Sequence, residues 1–208
     1  MTRLAGRDPV PERDPEARDG RVRRSLRSRE RILDALLALV REGELRPTAQ
    51  QVADRAGVGL RSVFRHFEDM ETLYAELRER MDRELRPHRE APAIQGTLEE
   101  RLVAFARARA RAFEKIAPFQ RAERTQRWRS PVLQDAHATL LREERSHLLE
   151  TFPEVEGLPA EARHALEVVT GFAFWELLRT DQGLGVARAE EAMRTATGRL
   201  LGVRAERE

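Results

Sequence analysis

The residues best suited to binding another molecule lie in one short stretch, Thr48 to Leu73. Two short helical patterns meet there at a glycine, and Arg61, Ser62 and Arg65 project from the second pattern, away from its apolar positions. Residues 21–67 carry eleven arginines against five acidic residues, so positive charge is concentrated around this pair of helices. No nucleophile, base and orienting group assemble around a recognisable motif, and there is no glycine-rich phosphate loop. These side chains can form hydrogen bonds and ion pairs with a partner but do not form a catalytic site, so we do not expect an enzyme.

The apolar and small residues of this stretch have the spacing of a helix-turn-helix. Thr48 and Gln51 form a capping-box pattern that predicts the start of the first helix. Gly57 permits the tight turn, and the alanine at position 53 lets the second helix, about Leu60 to His66, cross closely. Valines at 52, 58 and 63 are expected to pack the two helices together. An ordinary corner between two helices has a similar pattern, but it does not account for the coincidence with the charge maximum.

The other periodic segments of the chain also predict helix, which indicates an all-α protein of about nine helices. Residues 1–24 are rich in Pro, Arg and Asp and are expected to form a disordered basic arm. Residues 25–86 are expected to form a helix-turn-helix domain whose last helix starts behind Asp69 and ends before Pro87. Residues 87–208 are expected to form a second helical domain, with helices at about 97–118, 119–129, 131–152, 160–179 and 187–201.

Beyond these patterns, the N-terminal sequence resembles a known family. The segment TAQQVADRAGVGLRSVFRHFEDMETLYAEL, behind RERILDALLALV, is similar to the DNA-binding domain of TetR/AcrR-family transcription regulators. The recognition helix of that family typically ends in an aromatic residue, a variable residue, His and Phe, which here are Phe64, Arg65, His66 and Phe67. The resemblance is specific over about residues 28–77. It implies a homodimeric regulator of transcription, and we expect a repressor that a small molecule releases from a palindromic operator.

The resemblance implies DNA contacts for several residues. Arg61 can bind guanine O6 and N7 through two guanidinium nitrogens, with Ser62 beside it. Gln50 occupies a position that reaches a base in some family members, and Thr48 at a helix start suits a phosphate oxygen. His66 either contacts phosphate or is a packed histidine that closes the helix. The complete expected set is Thr48, Gln50, Arg61, Ser62, Phe64, Arg65 and His66.

Two positions depart from the family pattern. A tyrosine is common where this chain has Phe64, and a lysine is common where it has Met70; both often bind phosphate. Their absence removes about two phosphate contacts, which Arg65 or the arginine-rich segment from Arg21 to Arg31 is expected to replace.

The C-terminal domain is expected to hold the small-molecule effector, as it does in this family. Aromatic residues at helical spacing are typical of such a chamber and also of a plain core. Arg109 lies on the apolar stripe of its helix and requires a partner, which is either Glu144 or a ligand. The expected lining residues are Phe105, Arg109, Phe113, Trp128, His137, Leu141, Phe172 and Trp175.

The last two helices, about 160–179 and 187–201, are expected to form the homodimer interface. The first of them is apolar nearly all round, with Gly171 and Ala173 allowing close approach, so it must be covered on more than one side. Two copies of the pair would form a four-helix interface. A single buried core helix has the same pattern.

Two rival functions use other features of the sequence. Glu144 with His147, and Glu161 with His164, have the Glu-x-x-His spacing of ferritin-like metal-binding bundles. In a chain this rich in glutamate such pairs arise by chance, so we expect no metal ion and no cofactor. A protein that coats DNA without sequence preference is disfavoured because positive charge is confined to one end of the chain.

Composition limits the compartment in which the protein works. The sequence has no cysteine, which excludes disulfides and thiolate metal sites. No apolar run approaches the roughly 18 residues needed to span a bilayer, and the polar, proline-rich start does not resemble a signal peptide. We expect a cytoplasmic protein without membrane contact.

Overall fold

The computed structural model describes residues 15–89 and 94–203, and within these ranges the chain forms nine α-helices and no β-strand. The all-α prediction is confirmed. Within the same ranges, every helix is too short or too polar to cross a lipid bilayer. A 3₁₀ turn, Pro153–Gly157, follows α6, and a π turn, Leu177–Asp181, extends α8. The helices are α1 Pro15–Arg41, α2 Ala49–Ala56, α3 Leu60–His66, α4 Met70–Arg89, α5 Leu98–Arg127, α6 Pro131–Thr151, α7 Ala160–Val169, α8 Phe172–Glu176 and α9 Val186–Leu200.

The N-terminal helices begin where the capping signals predict. The Thr48 hydroxyl accepts a hydrogen bond from the Gln51 backbone at 3.2 Å, and the Gln51 side chain accepts one from the Thr48 backbone at 2.8 Å. Asp69 accepts hydrogen bonds from the Thr72 backbone and hydroxyl at 2.7 and 2.8 Å, which lowers the pKa of this carboxyl group. The buried faces of the four helices meet in one core, which includes Ile32, Leu36, Val52, Val63, Leu73 and Leu77.

The structure corrects the expected start of the first helix. α1 begins at Pro15 rather than near residue 25, whereas residues 1–14 lie outside the described part of the chain. Proline is favoured in the first turn of a helix because its missing N–H would have no partner there, and arginine is a good helix former. The side chains from Val22 to Arg27 are exposed. Residues 15–24 are therefore helical, and the prediction of disorder is wrong for them.

Two prolines that were expected to end helices lie inside them. α4 continues past Pro87 to Arg89, and α5 continues past Pro118 to Arg127. Proline in a helix interior costs about 3 kcal/mol, so packing must compensate at Pro118. Ala117 and Phe119, on either side of it, are both buried. The expected helices 97–118 and 119–129 are consequently one helix.

The expected helix 160–179 is interrupted instead. α7 ends at Val169, and Gly171 has an extended backbone, with φ −90° and ψ 165°, before α8 begins. A Cβ atom at Gly171 would lie 3.1 Å from the Glu167 carbonyl oxygen, so the chain approaches the end of α7 closely. This interruption contributes to the wall of a cavity.

The N-terminal and C-terminal helices share one hydrophobic core cluster. Phe119 and Ala122 of α5 and Leu133 of α6 are buried together with the apolar residues of α1 to α4. Packing therefore crosses the domain boundary that the sequence suggested near residue 87.

Polar contacts also join α4 to the C-terminal helices. Arg78 of α4 and Glu123 of α5 form a buried ion pair, with side chains 3% and 0% exposed. The Ser130 hydroxyl, just before α6, donates a hydrogen bond to Glu71 of α4 at 2.5 Å. A displacement of α5 or α6 would consequently act directly on α4.

Candidate DNA-binding surface and ligand cavity

The turn between α2 and α3 is held by a residue of α1. Gly57 has a left-handed backbone, with φ 61° and ψ 43°. The Arg31 side chain donates hydrogen bonds to the carbonyl oxygens of Ala56 and Gly57, the latter at 3.0 Å. Val63 is 2% exposed and anchors α3 to the core. The orientation of α3 is therefore determined by its buried valine and by the clamped turn before it.

The outer face of α3 is exposed and basic. Arg61 and Arg65 are exposed, and Phe64 is 48% exposed. Positions 61, 64 and 65 share one side of a helix. Ser62 is half-buried, and its hydroxyl accepts a hydrogen bond from Arg65 at 3.3 Å. Four expected DNA-binding residues thus lie on one short, accessible surface.

The nearby acidic residues do not neutralise this face. Glu42 forms an ion pair with Arg55 of α2, and Asp54 accepts a hydrogen bond from a glutamine side chain. Neither Arg61 nor Arg65 forms an ion pair with another described residue. The two guanidinium groups therefore remain available to an anionic partner.

The expected contact residues of α2 are at the surface but already bonded. Both the hydroxyl and the backbone N–H of Thr48 take part in the capping box with Gln51. Gln50 is exposed, and its amide donates a hydrogen bond to Asp54 at 2.7 Å. Contact with DNA would require each of these residues to exchange a partner.

His66 has the environment of a packed histidine. The side chain is half-buried, and its buried Nε2 atom has no hydrogen-bond partner in the described structure. Burial lowers the pKa of His66, and the charges of Arg65 and Arg29 lower it further. A neutral ring with this nitrogen inside is poorly suited to a phosphate, so we favour the interpretation that His66 closes α3.

The arginine-rich segment of α1 is partly committed to the fold. Arg29 forms two hydrogen bonds to Glu76 of α4, one of them at 2.7 Å, and its guanidinium lies 5.2 Å from the centre of the Phe67 ring. Arg31 clamps the α2–α3 turn. Only the more N-terminal arginines of the segment, including the exposed Arg24 and Arg27, remain candidates for the missing phosphate contacts.

A cavity of about 470 Å³ lies among α5, α6, α7 and α8. Three of the expected ligand-binding residues line it: His137, Leu141 and Phe172. This volume falls in the range typical of small-molecule sites. The complete lining is Gln120, Arg124, Arg127, His137, Leu140, Leu141, Glu144, His164, Glu167, Val168, Gly171, Phe172 and Ala173.

The other aromatic residues expected to bind the ligand lie elsewhere. Phe105, Phe113 and Trp175 are at most 2% exposed and belong to core clusters. Trp128 is 62% exposed at the end of α5, with the Arg129 guanidinium 4.3 Å from the centre of its ring. The periodicity of apolar residues does not distinguish a side chain that faces a cavity from one that fills the core. This is why the sequence alone grouped these core residues with the cavity lining.

Arg109 has a partner within the protein. Its guanidinium lies 3.1 Å from a carboxylate oxygen of Glu144 and packs 5.0 and 5.7 Å from the ring centres of Phe105 and Phe113. Arg109 does not line the cavity. Of the two interpretations of this residue, the structure supports the internal ion pair with Glu144.

The two Glu-x-x-His pairs do not form a metal site. Glu144 pairs with Arg109, and the His147 ring stacks on Phe105 with 5.7 Å between ring centres. Glu161 and His164 are both exposed on α7. In the part of the chain that the structure describes, no group of three or more potential ligands is placed to hold a metal ion.

Sequence reasoning missed the polar end of the cavity. Gln120, Arg124 and Arg127 lie on α5 at positions that share one helical face. Because the sequence was expected to end a helix at Pro118, it did not show that these three residues continue the helix of the buried residues before that proline. A projection of residues 98–127 as one helix would place all three on the same face.

This end of the cavity adjoins the buried ion pair of α4 and α5. Arg127 lies 4.0 Å from Glu123, the partner of Arg78. Burial raises the pKa of Glu123, and the charges of Arg78 and Arg127 oppose this effect. Burial and the charges of Arg127 and Arg78 lower the pKa of His137 to about 4. At neutral pH, His137 is therefore an uncharged neighbour of the buried Arg78 and the half-buried Arg127.

Comparison with known proteins supports a DNA-binding assignment for the N-terminal helices. Residues 32–77 match the family described as bacterial regulatory proteins, tetR family. The matched segment runs from the middle of α1 to the middle of α4 and contains the whole helix-turn-helix. No curated protein matches the chain.

Solved structures with the same fold span most of the chain. A transcriptional regulator from Rhodococcus sp. Rha1 is 18% identical with a TM-score of 0.63, and the match covers 83% of this chain and 95% of that one. A protein from Mesorhizobium loti MAFF303099 assigned to the TetR family is 18% identical, with a TM-score of 0.60 and coverages of 86% and 98%. The multidrug binding protein EbrR, complexed with imidazole, is 20% identical with the same TM-score and coverages. Similarity at this level of identity establishes the fold.

The assignment rests on agreement between the matched segment, the accessible basic face of α3 and the fold of the whole chain. Residues 32–77 match the model of the bacterial regulatory proteins of the tetR family, and over most of its length the chain has the fold of the solved transcriptional regulators that it resembles.

Proposed function

We propose that this chain is a sequence-specific transcriptional repressor that a small molecule releases from its operator. The observation that carries the proposal is the outer face of α3, where Arg61 and Arg65 are exposed and form no ion pair with another described residue. Arginine near the start of a recognition helix can bind guanine O6 and N7, which gives base selectivity. Gln50 and Thr48 of α2 are candidates for further contacts once they exchange their present partners.

The proposed repressor is a homodimer that uses the last helices of each copy. Val168 of α7, Leu177 of the π turn and Val186 of α9 are 62%, 44% and 40% exposed. Val186 is at the start of α9, and the same face of this helix continues into Ala189 and Met193, which are fully buried against α5. Exposed apolar side chains at the ends of helices that are otherwise packed against the core are suited to a self-complementary interface.

The proposed effector site is the cavity among α5, α6, α7 and α8. Its polar residue Arg127 lies beside Glu123, and Glu123 pairs with Arg78 of α4. α4 leads directly from the DNA-binding helices to these contacts. A ligand that displaces α5 or α6 would move α4 and change the distance between the two recognition helices of the dimer. Such a ligand must bind the DNA-incompetent state more tightly, because equal affinity for both states shifts nothing.

Footprinting on the DNA that flanks the protein's own coding region tests this function, with sequences selected from a random library as a second source of sites. We expect two protected half-sites with centres about 34 Å apart along the duplex. Uniform protection of all DNA would instead indicate a protein that coats DNA. Failure to protect or enrich any sequence would contradict the proposal.

A further inference from the structure

The positive charge at the α5 end of the cavity is only partly neutralised. Arg124 lines the cavity and forms no hydrogen bond or ion pair with another described residue. Arg127 lines it as well, and its nearest carboxylate oxygen, on Glu123, is 4.0 Å away. Glu123 is already bound more closely to Arg78. Two guanidinium groups therefore face the cavity without a close carboxylate partner of their own.

The charges around Arg127 also indicate an excess of positive charge at this end of the cavity. Burial lowers the pKa of Arg127; Glu123 acts against that effect, and the charges of Arg78 and Arg124 add to it. Asp82 is also close enough to act on Glu123. Two guanidinium groups, those of Arg78 and Arg127, consequently share one buried carboxylate, and a third, that of Arg124, lies close enough to Arg127 to repel it.

The acidic residues of the cavity are neutralised, in contrast. Glu144 lies 3.1 Å from the Arg109 guanidinium, and Glu167 lies 2.7 Å from Arg145. Neither carboxylate is free to hold a cationic ligand without losing its partner. The charge that the cavity can accept is therefore negative.

Neutral hydrogen-bonding groups lie beside the two arginines. Gln120 is 8% exposed and lines the cavity. His137 lines it too, as an uncharged ring whose Nδ1 atom is buried. The Gln120 amide can donate to the oxygen of an anion. Gln120 therefore increases the capacity of this end of the cavity to bind an oxyanion.

The remaining wall is apolar. Leu140 and Leu141 of α6, Val168 of α7 and Phe172 of α8 contribute carbon surface. This wall suits an aromatic or aliphatic body rather than a free inorganic ion. The cavity volume of about 470 Å³ leaves room for such a body beside the acid group.

We propose that the effector is an organic anion whose carboxylate or similar acid group binds Arg127 and Arg124 and whose apolar body packs against Phe172 and Leu140. The inference rests on the proposed ligand-release function and specifies its ligand class. When Arg127 pairs with the acid group, Arg127 moves away from Glu123. A bound ligand therefore alters the charge around the Arg78–Glu123 ion pair, which links α5 to α4.

Three probes with one naphthalene body test the charge preference: naphthylacetate, naphthylacetamide and naphthylmethylammonium. Binding to the full chain is measured by calorimetry without DNA, so the result does not depend on whether the protein binds an operator. We expect naphthylacetate to bind at least tenfold more tightly than the amide, and the ammonium to bind most weakly. Equal or tighter binding of the amide or the ammonium would overturn the proposal, as would a lack of binding by all three at millimolar concentration.

Variants identify the residues that hold the acid group. Arg124→Gln and Arg127→Gln are each expected to weaken naphthylacetate binding about tenfold and to leave naphthylacetamide binding nearly unchanged. Arg124 is exposed and has no ion-pair partner among the described residues, so its variant remains informative if loss of Arg127 disturbs folding. Arg163→Gln, an exposed arginine of α7 outside the cavity, is the matched control. Unchanged naphthylacetate affinity in the Arg124 variant and in a folded Arg127 variant would place the anion elsewhere.

Discussion

At the scale of single residues, the arginines of the N-terminal helices divide into those that hold the fold and those that are available to a partner. Arg31 clamps the α2–α3 turn, and Arg29 and Arg78 form ion pairs with glutamates. Arg61 and Arg65 have no such partner among the described residues. Guanidinium groups without a protein partner on an accessible helix are the ones expected to bind DNA bases and phosphates.

Arg61→Ala is expected to relax base preference at one position of each half-site. The loss should be about 1 to 3 kcal/mol per site, the usual worth of one bidentate contact to a base pair. Binding of single-base operator variants by the wild type and the variant measures it. Arg163→Ala, on α7, should change nothing, and an unaltered base preference in Arg61→Ala would remove this residue from base recognition.

His137 is expected to make stability dependent on pH below neutrality. Its pKa is lowered from 6.5 to about 4 in the folded protein, first by burial and then by Arg127 and Arg78. As pH falls below 6.5, His137 becomes protonated in the unfolded chain but stays neutral in the folded protein. The free energy of unfolding therefore decreases progressively towards pH 4. Above pH 6.5 both states are neutral and the effect vanishes.

Urea unfolding at pH 7.5 and pH 5 checks this expectation. His137→Gln should lose less stability than the wild type between the two pH values. His164→Gln, an exposed histidine of the same cavity, should behave as the wild type does. An identical loss in the wild type and in His137→Gln would show that other groups cause the pH dependence.

At the scale of helices and turns, the structure depends on the tight connection between α2 and α3. Gly57 has φ 61°, a conformation that costs other residues roughly 1 to 2 kcal/mol. A Cβ atom there would also lie 2.9 Å from Nη2 of Arg31. The turn and its clamp are therefore matched to glycine.

Gly57→Ala is expected to destabilise the protein by about 1 to 2 kcal/mol and to weaken DNA binding, because α3 changes its angle when the clamp moves. Thermal unfolding and operator binding measure the two effects. Gly59→Ala lies in the same connection at φ −70°, with nothing within 4 Å of the added Cβ, and should cost less. Equal losses in both variants would mean that the left-handed turn is not the cause.

The N-terminal extension of α1 supports a prediction about salt dependence. Removal of residues 1–27 should weaken binding to all DNA sequences and flatten the dependence of affinity on salt, because arginines close to the duplex are lost. The side chains of Val22 to Arg27 are exposed, so removal of these six residues sacrifices little packing. Titrations from low to high salt measure the slope. If the slope and the affinity are unchanged, this part of α1 takes no part in binding.

At the scale of the whole molecule, α4 connects the two sites. It follows the recognition helix directly, contacts α6 through Glu71 and Ser130, and pairs with α5 through Arg78 and Glu123. In the proposed dimer, two recognition helices would bind together only if they lie about one turn of DNA apart. We therefore expect small movements of α4 to change the affinity for DNA.

Ligand and operator are expected to weaken each other's binding by the same factor. Thermodynamic linkage requires this reciprocity whenever the ligand prefers the DNA-incompetent state. Naphthylacetate is titrated by calorimetry with and without saturating operator, and operator affinity is measured with and without naphthylacetate. Equal naphthylacetate affinities in the two titrations would contradict release by this ligand, even if the operator is bound selectively.

Much of the N-terminal unit could be predicted because its signals are local. The capping box at Thr48, the glycine turn and the Asp69 cap each bond residues within a few positions of one another, so short sequence patterns identify them. Pro118 and Gly171 show the opposite case. One was expected to end a helix and does not, and the other interrupts a helix that was expected to continue, because packing decided both.

By itself the sequence determined the all-α fold, the helix-turn-helix and its exposed arginines, since periodicity, caps and charge distribution are properties of neighbouring residues. Only the tertiary structure decided which polar side chains meet across helices. It paired Arg109 with Glu144 and Arg78 with Glu123, and it brought Arg124 and Arg127 to one end of a cavity. These pairings join residues far apart in the chain, and a buried charge takes whichever partner the packing of the helices brings within reach.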